Sequence, residues 1–338
     1  MRFKLKIQRF SQRLFIISAV AASVWAGVLI PCSGASSVAA TFDPASRSFS
    51  LENAAFLVSV VEIASQNDEG CIRAQLAPLG FRAARLIKSK VLHCVVAEGD
   101  GYVVLAFRGS TTMQDWLTDL KFAQAGTKTT GLPGKVHRGF VRALDEGWPR
   151  IAELLHRADE NGASVWITGH SLGGGLSHIA AMRAAREGID VAGVYTFASP
   201  RVGNDEFAEA YEEVYRGRSY RVVNIEDMVP HVPPSQAGEK EFERIVAPKQ
   251  KKLGLRLASK GVFMMVKYTH TGELFVFGRQ GVYRGRQTYS DRDDARFWRE
   301  VEATYGSGSW AALVNDQGKV ARTHFLDAYV KVLHQAVH

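Results

Sequence analysis

Two periodicities alternate along this chain. From Phe49 to Gln66 the apolar residues Leu51, Ala54, Ala55, Val58, Val61 and Ile63 recur at the three-to-four spacing of a helix face. Arg85 to Ala97 and Tyr102 to Phe107 are apolar and β-branched instead. The turn Glu98-Gly-Asp-Gly101 between them reads as a hairpin. The helical period returns over Phe140 to Arg157. Val165 to Thr168 reads as a buried strand, and Leu172 to Glu187 as an Ala-rich helix. Val191 to Phe197 and Ser219 to Asn224 are further strands, separated by a helix that starts near Asp205 and ends at Gly217. The apolar run Leu274 to Phe277 and a terminal helix over Phe325 to Leu333 follow. This alternation predicts an α/β fold with a mostly parallel central sheet flanked by helices. In such sheets function gathers at the carboxyl ends of the strands.

Pro234 to Lys267 breaks the pattern. It interleaves Lys249, Lys251, Lys252, Arg256, Lys260 and Lys267 with Leu253, Leu255, Leu257 and the run Val262 to Val266. It reads either as a basic, apolar surface element facing anionic lipid or as a solvated insertion with one buried apolar end, the second reading being favoured.

The first forty residues differ from the rest. Arg2, Lys4, Lys6, Arg9 and Arg13 precede an apolar run from Leu14 to Ile30, and a small-residue stretch ends in Val38-Ala-Ala40. That is the layout of an export signal, with cleavage expected after Ala40. The alternatives are a retained membrane anchor over residues 14–30, or a lipoprotein signal at Leu29-Ile-Pro-Cys32, where Pro31 replaces the usual small residue. The expectation is therefore a signal or anchor over 1–40, a single domain over 41–338, and an exported protein, either secreted or periplasmic. The same segment explains the charge. Without it, 37 bases face 34 acids, so the +8 of the whole chain falls to +3. The basic balance gives no support for nucleic-acid binding.

Of three cysteines, Cys32 lies in that segment. Cys71 and Cys94 are available to pair in an oxidising compartment, but Cys94 sits in a strand-like run, where a buried free thiol fits equally well. No Cys/His spacing suggests zinc and no acidic loop suggests calcium, so neither metal nor cofactor is expected.

The candidate chemistry lies in Gly169-His-Ser-Leu-Gly173. A strand, a Gly-x-Ser-x-Gly turn and a helix are the sequence form of a nucleophile elbow, which holds a serine hydroxyl out at the top of a sheet. That makes Ser171 a candidate nucleophile for acyl transfer. Such a serine needs a base, an orienting acid and donors for an oxyanion. Asp227, just past the end of a strand and stiffened by Pro230, Pro233 and Pro234, is the acid candidate, with Glu226 its neighbour. Five histidines follow. His231 is too close to Asp227 in a proline-rich loop, and His334 and His338 lie at the terminus. His324 and His270 remain, and position leaves both open. The N–H of Leu172, after the serine, and that of Ser110, after a strand and Gly109, are the oxyanion-hole candidates.

Six motifs occur together and in order: Phe107-Arg-Gly-Ser110, Asp115-Trp-Leu-Thr-Asp-Leu120, Val136-His-Arg-Gly-Phe140, Gly169-His-Ser-Leu-Gly-Gly174, Ser199-Pro-Arg-Val-Gly-Asn204 and Asn224-Ile-Glu-Asp-Met-Val-Pro230. In these the chain resembles the class 3 lipases, the fungal or Rhizomucor-type triacylglycerol lipase family. The resemblance covers residues 50–235 firmly and continues loosely to 333. It implies an α/β-hydrolase core, with Ser171, Asp227 and a late histidine as the triad and Ser110 and Leu172 as oxyanion donors. It also implies a lid formed or supported by the segment from Ser110 through Trp116. The family places its catalytic histidine near the C-terminus before an aromatic, as in Thr323-His-Phe325, whereas His270-Thr-Gly-Glu273 resembles a separate, non-catalytic segment. The resemblance therefore points to His324 as base and keeps His270 as the alternative. It implies a lipid or ester substrate, acylglycerol first, with phospholipid or short-chain esters as alternatives, no cofactor, and contact with a membrane or lipid-droplet surface. The long stretches 234–267 and 278–320 depart from the family pattern.

Overall fold

The computed structural model describes residues 41–109, 123–252, 267–278, 283–287, 291–307, 316 and 323–337. Residues 1–40, Ser110 and the expected lid lie outside them. Helix α1 (Leu51–Ala64) starts at Ser50, whose hydroxyl accepts the Asn53 N–H at 3.0 Å. It is buried almost all round, because the sheet covers one side and the C-terminal helix the other. Helix α2 (Glu69–Leu76) is capped in the same way by Asp68.

Strands β1 (Ala83–Lys88), β2 (His93–Glu98) and β3 (Tyr102–Phe107) form an antiparallel meander. The sequence reads Arg85 to Ala97 as one strand, but the chain turns back at Ser89–Leu92. There the Ser89 hydroxyl accepts the N–H groups of Val91 and Leu92, which draws the backbone out of the ladder. The small ribbon of β4 (Gln124–Gly126) and β5 (Lys135–His137) follows.

The expected helix over Phe140 to Arg157 is likewise two, α3 (Arg138–Asp145) and α4 (Trp148–Glu160). Gly147 breaks it: a Cβ there would stand 2.3 Å from the Leu92 side chain. Pro149 then opens the new helix, where its missing N–H costs nothing. Next come β6 (Ser164–His170), α5 (Leu172–Arg186), β7 (Val191–Phe197), α6 (Asp205–Tyr215) and β8 (Ser219–Asn224). Asn204 caps α6 at its start, and Gly217, at φ +74°, turns the chain just beyond its end. A helix the sequence reading missed, α7 (Glu239–Lys252), precedes β9 (Glu273–Phe277) and β10 (Tyr283–Gln287). Helices α8 (Asp291–Tyr305) and α9 (Leu326–Val337) end the described chain.

The main sheet has eight strands in the order β1-β2-β3-β6-β7-β8-β9-β10. The five from β3 to β9 in that order run parallel, and the flanking pairs are antiparallel. Every residue of β3 and β7 is buried, as expected for parallel strands covered on both faces. One face packs on α3, α4 and α5 through Leu105, Phe107, Ile167 and Val194. The other packs on α1 and α9 through Val104, Trp166, Tyr195 and Val222. This is the mostly parallel α/β sheet that the strand and helix pattern predicts, in the α/β-hydrolase architecture that the family resemblance implies.

In the 234–267 stretch, α7 buries Phe242, Ile245 and Val246 against Trp298 and Val301 of α8 and against Met228, Val229 and Val232. Its first part is therefore a helix with one buried apolar face, consistent with the favoured reading of an insertion with a buried apolar end, while 253–266 lie outside the described residues. Cys94 is a free, fully buried thiol whose pKa burial pushes far up, so it does not pair with Cys71. Among the described residues no helix is long and apolar enough to cross a membrane.

Candidate active site

The carboxyl ends of β3, β6, β7 and β8 converge on one place. Ser171 sits between β6 and α5 at φ 56°, ψ −124°, a backbone state that a non-glycine residue rarely adopts. Its N–H donates to Phe197 O at 2.9 Å, which ties the turn to β7. The flanking glycines are required by contact. A Cβ on Gly169 would stand 2.3 Å from the Gly173 carbonyl oxygen, and one on Gly173 would stand 2.4 Å from that of Phe107. Helix and strands therefore approach too closely for any side chain there.

Asp227 lies in the turn after β8, its N–H held by Asn224 O at 2.9 Å. One carboxylate oxygen accepts the Val229 N–H at 2.9 Å, and the other accepts the Tyr329 hydroxyl at 2.8 Å. His324, just before α9, completes the series. Its Nδ1 lies 2.9 and 2.8 Å from the two Asp227 oxygens, and its Nε2 lies 3.0 Å from Ser171 Oγ. A carboxylate at Nδ1 fixes the proton there, so Nε2 faces the serine hydroxyl as an acceptor. All three residues are buried, Asp227 completely. His170 Nε2 donates to His324 O at 2.7 Å and anchors the loop that carries the imidazole. Burial, together with the nearby His324, holds the His170 imidazole well below its ordinary pKa, so it is neutral.

The structure thus brings Ser171, His324 and Asp227 together and leaves His270 out. His270 precedes β9; its neighbour Thr269 donates its N–H to Gly203 O at 2.8 Å. Burial and then the charges of Arg221 and Arg201 push its pKa well down. His231, four residues from Asp227, turns to Asp294 instead, with Nδ1 3.0 Å from Oδ1. Leu172 is the first residue of α5, so its N–H has no intrahelical acceptor. Gly109 packs on the elbow: a Cβ there would lie 3.0 Å from His170 O and 3.3 Å from Ser171 Cβ. The backbone leading into Ser110 therefore runs against the nucleophile turn.

Three supporting residues escaped sequence reasoning. Tyr329 belongs to the buried face of a predicted helix, and no pattern marks its hydroxyl as a carboxylate donor. His170 lies inside the pentapeptide but reads as a spacer. Asp294 lies in an Arg/Asp-rich stretch that looks solvated, yet it is fully buried. It is paired with Arg201 at 3.0 Å and accepts the Ser235 N–H at 2.8 Å. Burial alone would raise its pKa, but Arg201 and His231 outweigh that and hold the carboxyl well below its ordinary range. Arg201 also donates to Pro233 O at 2.8 Å. The pair therefore braces the loop that carries Asp227.

The family profile described as Lipase (class 3) matches residues 104–237, which hold the elbow and the acid loop. That stretch of the chain is similar to the class 3 lipase family. A secreted mono- and diacylglycerol lipase of Fusarium solani is 35% identical over 134 residues, 39% of each chain. A phospholipase A1-II of Oryza sativa subsp. japonica is 28% identical over 236 residues, 62% of this chain and 59% of the relative. The chain thus spans about two fifths and three fifths of the lengths of those relatives. A solved triacylglycerol lipase, reported to have a serine-protease triad at its catalytic centre, superposes at TM-score 0.52 and 22% identity. It covers 71% of this chain and 85% of its own, a likeness of fold.

Proposed function

We propose that this chain hydrolyses carboxylic esters, acylglycerols foremost, with Ser171 as nucleophile, His324 as base and Asp227 as the orienting acid. The observation that carries the reading is the unbroken series Ser171 Oγ, His324 Nε2, His324 Nδ1, Asp227, with links of 2.8 to 3.0 Å. Ser171 Oγ attacks the ester carbonyl while His324 Nε2 takes its proton. The resulting imidazolium is stabilised by the Asp227 carboxylate, which the Val229 N–H and the Tyr329 OH hold in place by donating to it. Collapse of the tetrahedral intermediate breaks the bond to the alcohol, which leaves with the proton from His324. Water then attacks the acyl-enzyme by the same relay in reverse, releasing the carboxylic acid and restoring Ser171. The N–H groups of Leu172 and Ser110 receive the oxyanion, each such donor contributing about 3 kcal/mol.

The Fusarium relative's name supports acylglycerol as substrate and supports export. With the basic-apolar-small layout of residues 1–40, it supports a reading in which that segment directs export and 41–338 form the catalytic domain. The longer match to a phospholipase A1 supports phospholipid as the second substrate class. Hydrolysis of mono-, di- and triacylglycerols, phosphatidylcholine and p-nitrophenyl esters of graded chain length tests both. Turnover highest on acylglycerols and absent in Ser171→Ala is expected. Undiminished turnover in Ser171→Ala would end the proposal.

A further inference from the structure

A cavity of about 190 Å³ lies apart from the Ser171–His324–Asp227 series, between β8, β9, the loop around Pro230 and the start of α8. Its sheet side is apolar. Val223, Leu274 and Val276 form a small cluster that belongs to neither main core layer, and Ile225 and Pro230 extend it. The opposite character comes from Arg221 on β8, His270 before β9 and Arg296 on α8. Arg221 is buried, with 5% of its surface exposed. His270 Nδ1 is buried and, among the described residues, has no hydrogen-bond partner. A buried polar nitrogen left unsatisfied is costly, so its place in a cavity wall marks a ligand position. Asp293 also lines the cavity and pairs with Arg296 at 3.2 Å. Among the lining groups Arg221 and Arg296 face the single acid Asp293, and burial and the nearby arginines keep His270 neutral. Two guanidinium groups and a buried imidazole nitrogen among the described lining residues suit an anionic ligand.

We infer that this cavity binds a short-chain carboxylate, with the carboxylate on Arg221, His270 and Arg296 and the alkyl chain on Val223, Leu274 and Val276. The volume is slightly above the roughly 150 Å³ that admits benzene, so the fit is to a small amphiphile of about eight non-hydrogen atoms. An ionised acceptor on guanidinium donors supplies the strong contacts, and the apolar wall favours a tail over a bare anion. The site stands independently of the proposed hydrolysis, although a carboxylate is what ester cleavage releases.

Calorimetric titration of hexanoate into the full chain carrying Ser171→Ala tests it, with acetate, hexanol and inorganic phosphate as comparison ligands. Saturable hexanoate binding is expected, at least tenfold tighter than any of the other three. Arg296→Gln and His270→Asn should each weaken it fivefold or more, and Val276→Trp, which fills the cavity, should remove it. Circular dichroism and Tm confirm that each variant is folded. Three results overturn the inference: no saturable binding, phosphate binding as tightly as hexanoate, or hexanoate affinity unchanged in folded Arg296→Gln and His270→Asn. Because Ser171 is absent from the titrated protein, failure of ester turnover and failure of this site are read separately.

Discussion

The Tyr329 hydroxyl donates to Asp227 Oδ2 at 2.8 Å and accepts the Asn224 N–H at 3.0 Å. One side chain on α9 thus links the acid to the end of β8, while His324, just before the same helix, contacts both oxygens of the acid. Tyr329→Phe removes a donor from a buried carboxylate, a bond worth about 1.5–3 kcal/mol. The expected result is a roughly tenfold lower kcat with KM little changed, and a Tm lower by several degrees. Steady-state kinetics and thermal unfolding of the variant check both.

The elbow tolerates no side chain at Gly173, where a Cβ would stand 2.4 Å from Phe107 O and 2.8 Å from Arg108 O. Both obstacles are backbone, so relief requires a shift of β3 or α5. Gly173→Ala is expected to lower stability by about 3 kcal/mol, the upper range for overpacking, and to reduce ester turnover more than a hundredfold. Urea unfolding and p-nitrophenyl ester hydrolysis measure the two effects. Gly126, whose Cβ would meet nothing within 4 Å and whose φ is −91°, serves as the control position.

The outline was legible in the sequence because it rests on local signals. Strand-forming runs, helical spacing and the Gly-x-Ser-x-Gly turn are written in neighbouring residues, and Ser171 and Asp227 follow from motif and order, whereas order leaves His324 and His270 both open and only the family resemblance points to His324. What stayed hidden depends on distant contacts. Arg85 to Ala97 reads as one strand until Ser89 is seen to take the turn amides, and Gly147 breaks a helical pattern only because Leu92 and Ile87 occupy its Cβ space. Asp294 and the α7–α8 pair look polar along the chain, yet each side chain that matters is buried against another element.

Asp294 and Arg201 are a buried ion pair, and removing one member leaves an uncompensated charge. Asp294→Asn should therefore cost about 3–5 kcal/mol at neutral pH and lower kcat by loosening the Asp227 loop. The pH dependence has a defined sign. The folded carboxyl titrates below its ordinary 3.8, so its contribution is complete above that value and declines as pH falls through the folded one. The stability gap between wild type and variant, measured by urea unfolding, should narrow as pH is taken below about 4.

His178 is fully buried beside Thr271, with Oγ1 3.1 Å from Nδ1, and its pKa is pushed down to about 3 by burial and then by Arg221. Above pH 6.5 both folded and unfolded chains hold it neutral, and it has no effect. Between 6.5 and about 3 the unfolded chain takes up a proton that the folded chain does not, so stability falls as pH falls. The limiting slope is about 1.4 kcal/mol per pH unit. In His178→Gln, unfolding free energies measured from pH 6.5 to 4.5 should show a slope shallower by about that amount.

The acyl-transfer account is tested most directly by covalent labelling. A fluorophosphonate probe reacts with a serine hydroxyl only where a base and an oxyanion site activate it. Peptide mapping by mass spectrometry after brief exposure is predicted to place the adduct on Ser171 in the wild-type chain and to find none on the His324→Ala protein. An adduct on another serine, or equal labelling of Ser171 when His324 is gone, would contradict the account.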